Sequence, residues 1–525
     1  MRDFHQPGRS AVFAENGMCA TSHPLAAQTA IDILKRGGNA MDAAVAGAVL
    51  LGICEPQMAG LGGDCFVLFS PAGTDDVHGF NGSGRAAAGA SAQALRKSGF
   101  AAVPIHSADA VTIPGSVDAF CTLAADWGKL GLDALLAPAI QYAENGVPVA
   151  PRVAFDWQEA SQFLQGAGRT FYLNNGQVPK VGEVFRNPTQ ADVLRLIAKN
   201  GRDAFYSGEI AEDMVATLQA IGGQHDLDDF ADTRGTATHP ISATYKGVEL
   251  LEHPPNGQGA TAMLLLNVLS HFDISSMDPN GFERAHIEAE ATKLAYDARN
   301  RILADTDHTT HLERMLSTDV AAELASLISR QQAMPSAPAL TEAIHKDTVY
   351  ITVVDRDRMS VSLIYSIFHG FGSGIASEKF GVLFHNRGAG FSLTDGHPNE
   401  LAGGKRPMHT IIPGMLRQGG RVTMPFGVMG GAYQPCGHAR FISNMVDFGM
   451  DPQSAIDTPR CFADAGVLRT ERGYSARTKQ ALSDLGHILE EPHTPIGGAQ
   501  AIHIDDKGVL TGASDFRKDG CAIGY

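Results

Sequence analysis

Asp347-Thr348-Val349-Tyr350-Ile351-Thr352-Val353-Val354-Asp355 is the stretch on which the reading of this chain turns. From Val349 to Val354 every residue is β-branched or aromatic. An apolar pattern returns over 361–367, with Asp355-Arg356-Asp357-Arg358 as a polar turn between the two. This spacing predicts a β-hairpin. Residues 330–346 precede it, and Pro335, Pro338 and many small side chains there predict a mobile linker. A cut before Thr348 would leave a threonine as a new N-terminus at the head of a strand.

Upstream, 17–21 reads as a short strand, and Ser22-His23-Pro24 opens a helix that ends at Gly37-Gly38. Asn39 can cap the next helix, which is apolar on nearly every face over 40–54 and so belongs inside the protein; it is too short to span a bilayer. Gly60-Leu61-Gly62-Gly63-Asp64 enters an apolar strand, and its glycines suit either close approach to a ligand or a tight turn. Arg85, on the loop Asn81-Gly82-Ser83-Gly84-Arg85, could fork onto a carboxylate or lie solvated.

Helical patterns follow over 117–127, 132–145, 189–200, 209–221 and 260–269. A long amphipathic helix over 282–304 lets Glu290 and Lys293 pair across a turn on a solvated face. Beyond the hairpin come the loop 427–431, a helix near 438–448 and further short strands. Strands at both ends with helices between predict a layered α/β sandwich rather than regular βαβ units.

The net charge of -16 over 525 residues, without a long Lys/Arg run, excludes nucleic acid and anionic membrane as partners and favours a small molecule. The first residues form no apolar signal region, and the seven cysteines are scattered without CxxC spacing, so a reduced, cytoplasmic protein is expected. HExxH, zinc-type cysteine pairs and a complete GxSxG elbow are missing. Gly404-Lys405 lacks the rest of a P-loop, and Gly370-Phe371-Gly372-Ser373-Gly374 lacks dinucleotide spacing. No metal and no cofactor is expected.

Threonine chemistry remains. A hydroxyl is a poor nucleophile, but at a free N-terminus the α-amine, with a pKa of about 7.7 to 8.0, can take its proton. Gly430-Gly431 could supply backbone donors for an oxyanion. Taken by spacing alone, a Thr348 that merely begins a strand is the stronger reading.

Gly37-Gly38-Asn39-Ala40-Met41-Asp42-Ala43-Ala44, Ile113-Pro114-Gly115-Ser116-Val117, the stretch from Asp347 to Asp355, Phe371-Gly372-Ser373-Gly374-Ile375, Lys405-Arg406-Pro407, Gly430-Gly431 and Gly512-Ala513-Ser514-Asp515 resemble, in order, the γ-glutamyltranspeptidase family. The resemblance implies an N-terminal nucleophile hydrolase with a four-layer αββα fold, made as a proenzyme that cuts itself between Asp347 and Thr348. The large chain would be 1–347 and the small chain 348–525, intertwined in one globular domain, with a homodimer left open. Thr348 matches the nucleophile, Ser366 the place of a second threonine that bonds it, Gly430 and Gly431 the oxyanion glycines, and Arg85 an arginine for the substrate carboxylate.

Where the family grips the glutamyl amine and carboxylate with Asn, Gln and Asp, this chain has Phe368, Arg387 and Gly390; a Ser-Ser pair is replaced by His409-Thr410. Losing the Asp removes a partner for an α-ammonium, and Arg387 adds positive charge. The pattern is similar to a divergent branch that includes oxamate amidohydrolases of purine-nitrogen salvage. A small anionic amide such as oxamate is therefore the expected substrate, with Arg85 or Arg387 on its carboxylate and Phe368, His409 and Thr410 beside it. Glutathione hydrolysis or γ-glutamyl transfer is the alternative, and an unprocessed binding protein is the alternative of another class.

Overall fold

The computed structural model describes residues 5, 8–335 and 348–525. Asp347 and positions 336–346 of the expected linker lie outside them. The hairpin forms: Val349–Val354 runs antiparallel to Ser360–Ser366, with Val349 opposite Tyr365 and Val354 opposite Ser360. Both strands are buried along their whole length because each has a second neighbour. Met18–Thr21 pairs with the first and Asp64–Ser70 with the second. Cys521–Gly524, His78–Gly82 and Thr236–Thr238 extend this to a seven-stranded antiparallel sheet.

A second seven-stranded sheet runs in the order Val12–Ala14, Leu510–Ser514, Gly498–Ile504, Arg421–Met429, Gly414–Gln418, Val248–Glu252, Ile241–Tyr245. The two sheets stack face to face. Thr352 Oγ1 donates to the Pro425 carbonyl at 3.5 Å, Ser362 Oγ to the Phe426 carbonyl at 3.1 Å, and a Cβ on Gly427 would come within 2.3 Å of the Tyr350 ring. Glycine is needed at 427 because the tyrosine ring fills the space a side chain would take.

Ala40–Cys54 covers the outer face of the first sheet, where Gly47 makes room for Ile351: a Cβ there would lie 2.4 Å from its Cδ1. Asn39 and Asp42 cap this helix reciprocally, which starts it cleanly inside the core. Pro24–Lys35, Ser116–Trp127 and Leu132–Asn145 pack around it. Gly259–Leu269 and Gln434–Phe448 cover the second sheet, with Phe282–Ile302 against them. The result is the α/β sandwich of four layers, αββα. Each sheet takes strands from both sides of Thr348.

Two stretches depart from the sequence reading. Ile241–Tyr245 and Val248–Glu252, in a region read as helical, form a hairpin at the edge of the second sheet; its first strand is half exposed, so its apolar signal is diluted. Glu290 and Lys293 do pair, at 2.6 Å, but Glu290 is buried rather than on a solvated face. The Met334 N–H donates to Glu290 Oε2 at 2.7 Å and Lys293 Nζ donates to the Met334 carbonyl at 2.9 Å, so the pair also holds Met334, in the described start of the linker. All seven cysteines are free thiols, six of them buried. No helix among the described residues is long and apolar enough to cross a membrane.

Candidate active site

Thr348 stands one position before Val349 and therefore continues the hairpin register opposite Ser366, which in turn faces Asp64 on the neighbouring strand. Directly opposed residues in a sheet point to the same face. Thr348, Ser366 and Asp64 thus form a polar row across three strands, facing the second sheet. Thr348 is 2% exposed, and its Oγ1 donates to Ser366 Oγ at 3.4 Å. Ser366 Oγ also accepts the Phe368 N–H at 2.8 Å.

Across the sandwich, Thr352 lies over Pro425 and Tyr350 over Gly427, so the next step along the strand sets Thr348 over the Met429–Gly430 turn. Gly430 and Gly431 have φ of +117° and +56°, and a Cβ on Gly430 would lie 2.9 Å from Gly497 Cα. Only glycine fits. The Gly430 carbonyl accepts the Tyr433 N–H at 3.1 Å and the Gly431 carbonyl accepts Gln258 Nε2 at 3.0 Å. Neither glycine N–H donates to a described residue. Two uncommitted backbone donors beside a hydroxyl are what an oxyanion requires.

Arg387 forms another wall. It is wholly buried, with Cζ 3.9 Å above the Phe368 ring and Nη1 donating to Thr410 Oγ1 at 2.8 Å. Phe368 holds this position with a φ of +80°, an uncommon conformation for a side-chain-bearing residue and of the kind that gathers at functional sites. Arg387 Nε and Nη2 have no hydrogen-bond partner among the described residues. Burial pushes its guanidinium down to about 9, with the Asp64 carboxylate pulling the other way. A buried cation with free donors is costly unless an anion meets it.

Asp64 joins the two walls. Oδ1 accepts the N–H groups of Gly84 at 3.1 Å and Gly115 at 3.2 Å. Oδ2 lies 3.0 Å from His409 Nε2 and 3.3 Å from His385 Nδ1. Burial alone would raise this carboxyl, but His385 and His409 hold it far below the usual range. His409 is pushed down to about 3, by burial first and then by Arg387, against the pull of Asp64. It is therefore neutral, with Nε2–H on Asp64 and Nδ1 accepting the Ile411 N–H at 3.4 Å.

Other expected site residues fall differently. Arg85 is half exposed, and its Nη1 bonds Asp305 Oδ2 at 3.2 Å and the Gly404 carbonyl at 2.9 Å. At Gly390 a Cβ would lie 2.9 Å from the Met408 carbonyl, so an acidic side chain would need the backbone to shift. The glycines at 62 and 63 serve chain packing rather than a ligand: a Cβ would meet the Leu383 carbonyl at 2.1 Å or the Ser366 carbonyl at 2.6 Å. Among the described residues, His286, Glu290 and His487 have metal-like spacing, but His286 bonds the Ser329 carbonyl and Glu290 bonds Lys293 and Met334. They tie chain to chain.

A profile of the family described as Gamma-glutamyltranspeptidase matches residues 26–525. This chain belongs to that family. It is an N-terminal nucleophile hydrolase of the kind that acts on amide bonds. Family members align along essentially their whole length. The "Glutathione hydrolase-like YwrD proenzyme" of Bacillus subtilis (strain 168) is 36% identical, covering 98% of this chain and 99% of the relative. The "Oxamate amidohydrolase proenzyme" of Klebsiella pneumoniae is 32% identical, covering 98% and 100%. The crystal structure of cephalosporin acylase from Bacillus halodurans superposes with a TM-score of 0.92 at 37% identity, covering 100% of this chain and 99% of that one.

Sequence reasoning missed Asp64, His385 and Gln258. Asp64 sits in a glycine-rich turn where the glycines alone carried a reading, and His385 lies two residues from Arg387 without a motif of its own. Gln258 Nε2 bonds both the Thr410 and Gly431 carbonyls, at 2.6 Å and 3.0 Å, and so ties the Arg387 wall to the Gly430–Gly431 turn. Only tertiary contact reveals these roles.

Proposed function

We propose that the chain cuts itself between Asp347 and Thr348 into a large chain, 1–347, and a small chain, 348–525, and that Thr348 then hydrolyses the amide of a small carboxylate-bearing substrate, oxamate in the first place. The observation that carries this reading is Arg387, buried with two donors that meet no described residue. A guanidinium fork suits a carboxylate. The likeness to the Klebsiella relative adds to it, and seven free thiols suit a cytoplasmic setting.

In this scheme the freed α-amine of Thr348 takes the Oγ1 proton as Oγ1 bonds the amide carbon. The oxyanion develops against the Gly430 and Gly431 N–H groups. Collapse breaks the C–N bond, and the leaving nitrogen takes the proton from the α-ammonium and departs as ammonia. Water, deprotonated by the α-amine, then attacks the Thr348 ester and releases the diacid, restoring the hydroxyl. Ser366 orients Oγ1, and Arg387, supported by Thr410 and Phe368, holds the substrate carboxylate.

The test is ammonia release from oxamate compared with turnover of γ-glutamyl p-nitroanilide, alongside denaturing electrophoresis. Two bands and a clear preference for oxamate support the reading. A large preference for the glutamyl substrate would favour the second reading, γ-glutamyl hydrolysis, for which the Bacillus subtilis relative's name speaks. A single intact band with no turnover would point to a binding protein.

A further inference from the structure

An α-ammonium on a substrate needs a carboxylate acceptor. Among the described residues, Asp64 of the site and Asp305, the partner of Arg85, are buried carboxylates, and both are closed. Asp305 accepts Arg85 Nη1 and the Arg406 N–H on Oδ2, the latter at 2.8 Å, and the Thr306 N–H on Oδ1 at 2.8 Å. Asp64 holds two backbone N–H groups on one oxygen and His409 on the other, while the His385 ring closes the remaining side at 3.3 Å. The His409 main chain has an anchor of its own, its N–H donating to the Asn256 carbonyl at 2.7 Å, so it does not rest on the ring alone. The imidazole also packs on Phe66, with ring centres 4.7 Å apart.

We propose that Asp64 and His409 form a specificity filter: by occupying the Asp64 carboxylate, His409 denies it to a substrate ammonium, so the site selects amides that carry a carboxylate and no amine. This rests on the reading of Thr348 and Arg387 given above and adds the residue that sets the substrate class. Arg387 attracts the carboxylate. His409 turns away its aminated analogue, because a buried ammonium without an acceptor is worse than no ammonium at all. The filter works by occupancy: removing the imidazole uncovers a carboxylate oxygen whose side chain the Gly84 and Gly115 N–H groups and the His385 ring still hold in place.

The test uses substrate pairs that differ only by the α-amine, succinamate against L-asparagine and glutaramate against L-glutamine, all read by ammonia release from the processed enzyme. The wild type is expected to favour the amine-free member of each pair. In His409→Ala that ratio of kcat/KM should fall by about tenfold or more, and in the double variant His409→Ala, Asp64→Asn it should return toward the wild-type value. An unchanged ratio in His409→Ala, or equal relaxation in the double variant, overturns the filter. Should either variant fail to fold, binding to the wild type decides: glutarate must bind more tightly than L-glutamate, and equal or weaker binding overturns it. Absence of ammonia from every amide, oxamate included, would instead overturn the amidohydrolase reading, which the two binding constants do not test.

Discussion

Replacing Arg387 with methionine should stabilise the protein and abolish its activity together. The guanidinium is wholly buried, and burial brings it from the ordinary arginine range to about 9. At about 1.4 kcal/mol per tenfold change in proton affinity, holding that charge without an anion costs roughly 5 kcal/mol. The wild type recovers part of this: the stack on Phe368 contributes about 1 to 2 kcal/mol and the bond to Thr410 about 1 kcal/mol. Methionine fills a similar volume without a charge, so the net gain is on the order of 2 kcal/mol, within the range seen when buried ions become apolar. Thermal melting without ligand should therefore rise for Arg387→Met, and adding oxamate should raise the melting temperature of the wild type but not of the variant. Ammonia release should be lost. A variant that melts several degrees lower and keeps its activity would show Arg387 to be a structural partner of Asp64 and refute the argument.

Three further outcomes follow from the same contacts. Thr348→Ala should run as a single chain of 55.5 kDa on denaturing gels and release no ammonia, whereas processing in that variant would remove Thr348 from the cleavage step. Gly497 has a φ of +67°, and a Cβ there would sit 2.4 Å from the Met429 carbonyl, so Gly497→Ala should displace the Gly430 turn and lower kcat by about 10- to 100-fold with KM little changed, measured by steady-state kinetics. Glu55 is buried and accepts Ser22 Oγ at 2.5 Å; burial above all, opposed by Lys518, pushes its carboxyl up to about 7. Because the folded value exceeds the unfolded one, its contribution is fully present below about pH 4 and is lost as pH rises through 7. Glu55→Gln should therefore gain about 3 kcal/mol on the wild type between pH 4 and pH 8, and a stability difference that does not vary with pH would exclude this.

Local pattern was enough for a good part of this molecule. The β-branched run after Thr348 could only be a buried strand, and the all-round apolar helix Ala40–Cys54 could only lie inside, since neither could leave such surface in water. The helices at Leu132–Asn145 and Pro188–Asn200 announced themselves by period. The half-exposed hairpin of Ile241–Tyr245 with Val248–Glu252 did not, because its strands are chosen by the sheet they join rather than by their own composition.

The same division holds at the site. Sequence by itself placed Thr348 at the head of a strand and paired two glycines at 430 and 431, and by family resemblance marked Thr348 as the candidate nucleophile and Arg387 as an arginine where a glutamine is usual, because these are features of single residues. Tertiary structure alone decided that Arg387 is buried with unmet donors while Arg85 is bound to Asp305, and that Asp64 is closed by His409. Charge balance in a buried site depends on which side chains from distant segments share the same few ångströms, and Asp64, His385 and His409 meet only when the two sheets stack.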